Sequence, residues 1–205
     1  MQLAFRLGLL IAALFSAFLL FGPKDPRSGL VDMPVARAAP SEARIHYSSG
    51  HYPKLVMPDG SMTAVKSMLN VQKRMHYGDF AWNVDGIPAG PVWIRVDLRL
   101  QALSVFRAGH EIGSAIILYG TDGKATPTGV FPILQRAAQH RSTLYDADMP
   151  FMLRLTNDGV AIHASNVRAG AATHGCIGIP PEFAKLLFEQ VRRGDLVAIM
   201  PEQNT

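Results

Sequence analysis

From Pro91 onward the apolar positions of this chain fall into short runs of period two. In VWIRVDLRL (92–100), Val92, Ile94, Val96 and Leu98 share one parity while Arg95, Asp97 and Arg99 share the other. That alternation predicts a strand with one face buried. LSVFRAGHEIGSAIILYG (103–120) reads as strand, Arg-Ala-Gly turn, strand, and TDGKATPTG (121–129) is turn chemistry throughout. VFPIL and FMLRLT predict two more short strands, and Asn157-Asp158-Gly159 predicts a hairpin into VAIH. PPEFAKLLFEQVRRGDLVAIM (180–200) predicts a helix from near Pro181 to near Gly194, since proline suits a first turn and glycine an end. A last strand, Leu196 to Met200, closes the domain. Many short strands with one late helix predict a mainly β fold, a β-sandwich or barrel-like mixed sheet flanked by that helix.

Upstream of Pro91 the pattern changes twice. Residues 1–22 carry one cation, Arg6, and then an unbroken apolar run from Leu7 to Phe21. As helix this run spans about 22 Å, short of the roughly 30 Å hydrocarbon core. It fits the apolar region of a secretory signal peptide as well as an N-terminal membrane anchor. The nearest small-residue cleavage pattern, Ala36-Arg37-Ala38, lies well beyond the run. Either way the chain is expected to be exported. Residues 23–90 read as linker and lead-in: the stretch to about 60 is rich in Pro, Ser, Gly and charge. SMTAVKSMLNVQKRMHYGDFAWN (61–83) suits a short helix or extended chain.

Composition adds exclusions. Apolar residues make up 48% and charged residues 18%, which supports a real core, and the net charge of +4 is scattered rather than clustered. With no basic stripe interleaved with aromatics, nucleic acid is not an expected partner. A mild attraction to anionic polymers or membrane surfaces is the most this charge implies. The chain holds a single cysteine. In an oxidising compartment that thiol cannot make an internal disulfide, so it is either sequestered or put to use.

Cys176 stands in AIHASNVRAGAATHGCIGIP (161–180). If Val160 and Ile162 face the core, then Ala161 and His163 face away, toward a surface or cleft. Gly175, just before the cysteine, allows a sharp turn that could converge backbone N–H groups on one point, as an oxyanion hole requires. Two imidazoles, His163 and His174, could take the thiol proton. A base from a neighbouring strand is geometrically easier than one two residues away, which favours His163. Three readings stay open on these residues: Cys–His catalysis, a buried structural cysteine, or a metal held by His163, His174 and Cys176.

TPTGVFPI (126–133), AIH (161–163) and THGCIGIP (173–180), in that order, resemble the L,D-transpeptidase (YkuD-type) catalytic domain over about residues 91–201. The resemblance implies a mostly β fold and a cysteine acyltransferase acting on peptidoglycan stem peptides, with no cofactor and no metal. It implies Cys176 as nucleophile and His163 as general base. The Ala164 carbonyl would accept from the imidazole, and the backbone around Thr173, His174 and Gly175 would hold the oxyanion or orient the loop. An L,D-carboxypeptidase would use the same residues, and a membrane-tethered wall-binding module would use none of them. A papain-like peptidase would place its cysteine before its histidine. Two departures stand out. The stretch from His163 to Thr173 is shorter than usual, and Gly178 sits where the family commonly has Arg or Asn. Arg168 is a candidate to compensate, and Arg141 and Tyr145 are candidate substrate contacts.

Overall fold

A computed structural model describes residues 44–121, 123–142 and 146–202. The 92–100 run forms β6 (Val92–Asp97), preceded by β1 (Arg44–His46), β2 (Lys54–Val56), β3 (Met62–Ala64), β4 (Ser67–Leu69) and β5 (Phe80–Trp82). It is followed by β7 (Ala102–Arg107), β8 (His110–Ile116), β9 (Gly129–Pro132), β10 (Gln135–Ala137), β11 (Met152–Arg154), β12 (Ala161–Ala164) and β13 (Ile177–Ile179). Helix α1 (Pro181–Gln190) and β14 (Leu196–Met200) complete the order. The main sheet runs β1-β4-β8-β7-β6-β14-β9, with β5 also on β8; a smaller sheet runs β10-β11-β12-β13, and β2 pairs with β3.

Turn chemistry explains the antiparallel core of the main sheet. Ala108 and Gly109 both take positive φ, 52° and 88°, the combination that lets a two-residue turn follow the strand twist from β7 into β8. The alternation of β6 holds, with Ile94 and Val96 fully buried. Asp97 departs from it. The sequence puts it on the polar parity, yet it is buried, because Arg95 pairs with it at 2.9 Å and the Leu100 N–H donates to it at 3.0 Å. The final strand forms over the expected residues, Leu196–Met200, and β14 lies inside the sheet, parallel to β6 and antiparallel to β9. An almost wholly apolar strand, LVAIM, suits a position with neighbours on both sides.

One core joins both sheets and the helix. Ile94, Val96 and Val105 of the main sheet meet Leu153, Ile162 and Ile177 of the small one, with Phe183 and Leu187 of α1. The result is the mainly β sandwich with a late helix that the pattern predicts. The helix opens on Pro181 with Glu182 in its first turn, which complements the positive end of its dipole. It ends four residues before Gly194, because Val191 is extended (φ −92°, ψ 158°) and buried in the core. Gly194, at φ 90°, then turns the chain into β14.

The lead-in is less linker-like than its composition. Residues 61–83 are extended rather than helical, and β1 lies on β4 with register Arg44↔Leu69. The Arg44 guanidinium donates to the Asn83 carbonyl at 2.8 Å, to Ser67 Oγ at 3.1 Å and to the Glu111 carbonyl, tying β1 to β8. The apolar segment 1–22 and Ala36-Arg37-Ala38 lie outside the described residues. Among the described residues no helix is long and apolar enough to cross a membrane.

Candidate active site

The site rests on the parallel pair β12–β13. Their register is Ile162↔Ile177, His163↔Gly178 and Ala164↔Ile179. Side chains alternate along a strand, so Ile162, Ala164, Ile177 and Ile179 point into the shared core. The opposite face carries Ala161, His163, Gly178 and, two residues before Gly178, Cys176. Strand parity alone therefore sets His163 and Cys176 on one side of the sheet as diagonal neighbours. The Thr156–Gly159 turn delivers β12 into this pair: Gly159 takes φ 96°, and the Val160 N–H donates to Thr156 Oγ1 at 2.9 Å.

The loop that carries Cys176 is held from below by the segment after β8. Leu118 and Gly178 exchange backbone hydrogen bonds of 2.8 and 2.9 Å, and the Thr173 N–H donates to the Tyr119 carbonyl at 3.1 Å. Thr126 is the pin between them. Its buried hydroxyl accepts from the Gly120 N–H at 2.9 Å and donates to the Gly175 carbonyl at 3.0 Å. The Thr173 hydroxyl donates to the Cys176 carbonyl. Gly120 must be glycine, since a Cβ there would fall 2.5 Å from the Gly175 nitrogen. Gly175 has φ 97° and is buried, so the turn expected before the cysteine is present.

His163 Nδ1 lies 2.8 Å from the Ala164 carbonyl. A carbonyl only accepts, so this contact assigns the proton to Nδ1 and leaves Nε2 as the bare nitrogen. Burial pushes the His163 pKa down; the Ala164 carbonyl opposes that, and the nearby His140 charge adds to it. Cys176 is half-buried against Met149, Met152 and Ala161. Burial pushes the thiol above its ordinary value, opposed by the Ala161 N–H and by the charge of Lys124, while Asp158 adds to the rise. Both shifts favour the uncharged forms, thiol and neutral imidazole.

His163 and Cys176 line a single cleft of about 360 Å³, together with Thr173, His174 and Arg168. Arg141 lies instead beside a neighbouring cavity with His140, its guanidinium held by Asp146 at 2.8 Å and Asp148 at 2.7 Å. Tyr145 lies outside the described residues. Among the described residues, no three His, Cys, Asp or Glu side chains gather as metal ligands. Gly178 has a local reason: a Cβ there would meet Ser165 Oγ at 2.8 Å and Ser165 Cβ at 2.9 Å. Ser165, whose hydroxyl lies 3.4 Å from His163 Nδ1, occupies the space a side chain at 178 would need. Sequence reasoning missed Ser165, Lys124 and the role of Thr126. The Thr-Pro-Thr-Gly motif was the available signal for Thr126, but as sequence it is only a turn.

The chain matches the family model of the L,D-transpeptidase catalytic domain, YkuD, over residues 91–199, a little more than half of its 205 residues. Among solved structures it is similar to an L,D-transpeptidase (Yku) from Stackebrandtia nassauensis, with 25% identity and a TM-score of 0.51 over 58% of this chain and 60% of that one. It also shares its fold with an L,D-transpeptidase from Mycobacterium smegmatis, at 20% identity and a TM-score of 0.50 over 54% of this chain and 58% of that one. The chain thus spans about three fifths of the length of each. No curated protein matches it. With the matched span running from β6 into β14 and including His163 and Cys176, this chain belongs to the YkuD family of L,D-transpeptidase catalytic domains.

Proposed function

We propose that this protein is a peptidoglycan L,D-transpeptidase that transfers a stem-peptide acyl group through Cys176. The observation that carries the reading is the shared face: Cys176 and His163 border one cleft, and the Ala164 carbonyl, 2.8 Å from His163 Nδ1, leaves Nε2 as the nitrogen able to accept a proton. A donor tetrapeptide stem would present the carbonyl of its L-centre to the thiol. His163 Nε2 takes the proton as Sγ attacks the carbonyl carbon, which suits a pair that rests uncharged. Backbone N–H groups at Gly175 and Cys176 would receive the oxyanion. The C–N bond then breaks, the imidazolium returns its proton to the departing amine of the D-residue, and a thioester remains. An acceptor amine attacks the thioester, gives its proton to His163, and expels the thiolate, which is reprotonated as the cross-link forms.

Water in place of the amine would give an L,D-carboxypeptidase from the same residues. A wall-binding module would not need a fixed tautomer beside its lone thiol. The reading includes export, with residues 1–22 as signal peptide or anchor, residues 23–90 as lead-in and 91–201 as the catalytic domain on the cell-wall side. The test incubates purified protein, and its Cys176→Ala variant, with tetrapeptide-stem muropeptide. Intact mass follows the acyl-enzyme and chromatography separates the products. Cross-linked dimer that vanishes in the variant is the expected result. Tripeptide alone would replace transpeptidase by carboxypeptidase, and untouched substrate with both proteins would refute acyl transfer from this donor.

A further inference from the structure

One charged pair stands at the cleft mouth without a part in the scheme above. Lys124 Nζ lies 3.6 Å from Asp158 Oδ2, joining the loop after β8 to the turn between β11 and β12. Both residues line the cleft that holds His163 and Cys176. The Lys124 stem runs along the residue before the cysteine: a Cβ on Gly175 would meet its Cγ at 3.4 Å and its Cδ at 3.5 Å. The ammonium is thus delivered to the cysteine side of the cleft, and its charge is felt at the thiol.

The pair is built to exchange. At 3.6 Å it is longer than a direct charged hydrogen bond, and the two side chains are 34% and 66% exposed. An exposed pair of this kind is held only weakly, so an incoming carboxylate of similar charge can replace Asp158 at little cost. Asp158 would not be stranded, because it is mostly exposed and the Thr156 side chain also hydrogen-bonds it. Among the described residues, the other charged side chain on the cleft wall, Arg168, is basic, so the mouth favours anions once Asp158 is displaced.

We propose that Lys124 is the anchor for a substrate carboxylate beside Cys176, with Asp158 as its resident stand-in. The proposal deepens the acyl-transfer reading and rests on it for the identity of the carboxylate. In the donor that reading requires, the residue released carries a free terminal carboxylate one residue past the scissile amide, about 3.8 Å of chain away. Lys124 would hold that group, align the amide over Sγ, and restrict cleavage to the last residue of a stem.

The anchor can be tested apart from any turnover, because Cys176 is the only cysteine and its alkylation is read by intact mass. Iodoacetate carries a carboxylate and iodoacetamide does not, so the ratio of their rates isolates attraction of the carboxylate from thiol reactivity. The full chain is expected to show a ratio about fivefold higher than Lys124→Gln, with Lys124→Arg retaining it and Asp158→Asn raising it. A ratio unchanged within twofold across the three variants overturns the anchor, even if muropeptide is cross-linked. A Lys124-dependent ratio with no muropeptide turnover supports the anchor and sinks the acyl-transfer reading instead. A second arm compares the tetrapeptide stem as free acid and as terminal carboxamide. Selective loss of kcat/KM on the carboxamide, erased in Lys124→Gln, identifies the terminal carboxylate. Equal use of both donors, with Lys124→Gln impairing both, overturns that assignment in favour of a side-chain carboxylate of the stem.

Discussion

The two faces of the β12–β13 pair are made from alternate residues of the same few positions, yet they are built on opposite principles. Toward the core stand Ile162, Ile177 and Ile179, all essentially without solvent contact. Toward the cleft stand His163, Cys176 and a bare glycine, Gly178. The core face offers close packing and nothing titratable. The cleft face offers the candidate acid–base pair and thinner packing, with Cys176 half-buried against Met149, Met152 and Ala161. What the contrast teaches is how a reactive pair is held in place without covering it: the isoleucines lock the strands, and the register then carries the chemistry. Burial of each isoleucine contributes about 1.5–3 kcal/mol, so the rigidity comes from residues that never meet substrate.

The sharpest break of this contrast is at the base. His163→Gln leaves the Ile face intact, so the protein should fold normally while turnover falls by about 10²–10⁴-fold. In the wild type, burial lowers the His163 pKa from 6.5. A base with a depressed pKa stays unprotonated to lower pH, so the acid limb of kcat/KM should lie below pH 6.5 and disappear from the residual activity of the variant. An acid limb at or above 6.5 would contradict the buried neutral base.

Adjacent residues on opposite faces sharpen it further. Ile177→Ala should cost about 2–5 kcal/mol in urea unfolding, whereas Cys176→Ala, one position earlier and half-buried, should cost less than about 1 kcal/mol. Similar losses at both positions would mean that the faces are not energetically distinct. A more local effect belongs to Gly178. Gly178→Ala should cost about 1–3 kcal/mol through the collision with Ser165, and adding Ser165→Gly should restore most of it. Full additivity of the two changes would show that the serine does not occupy that space.

Much of the fold was legible because its signals are local. The period-two run of β6, the Ala108-Gly109 turn and the proline start of α1 each lie within a few residues, and each element formed where its pattern predicted. The reach of α1 was overestimated because Val191 is drawn into the core, a tertiary contact with no local mark. The lead-in was harder still. Its Pro- and Gly-rich composition reads as linker, while β4 pairs with β8, some forty residues further on, and β1 pairs with β4.

The chemistry divides the same way. His163, Cys176 and the glycine between His174 and Cys176 stood out in sequence because their residue types and order are those the proposed acyl transfer requires. Which face they share was a matter of register between two strands, and register depends on both partners at once. Thr126 looked like part of a turn, and only the folded chain brings its hydroxyl between Gly120 and Gly175. Lys124 and Asp158 were two ordinary surface charges until the loop after β8 met the hairpin before β12. The sequence by itself determined the mainly β class and the late helix and marked the candidate thiol and imidazole, since periodicity and residue chemistry are properties of residues and their spacing. Only the tertiary structure decided the interior place of β14, the exchange of volume between Ser165 and Gly178, and the ion pair at the cleft mouth. Each of those joins segments far apart in the chain, where space and charge are shared rather than encoded.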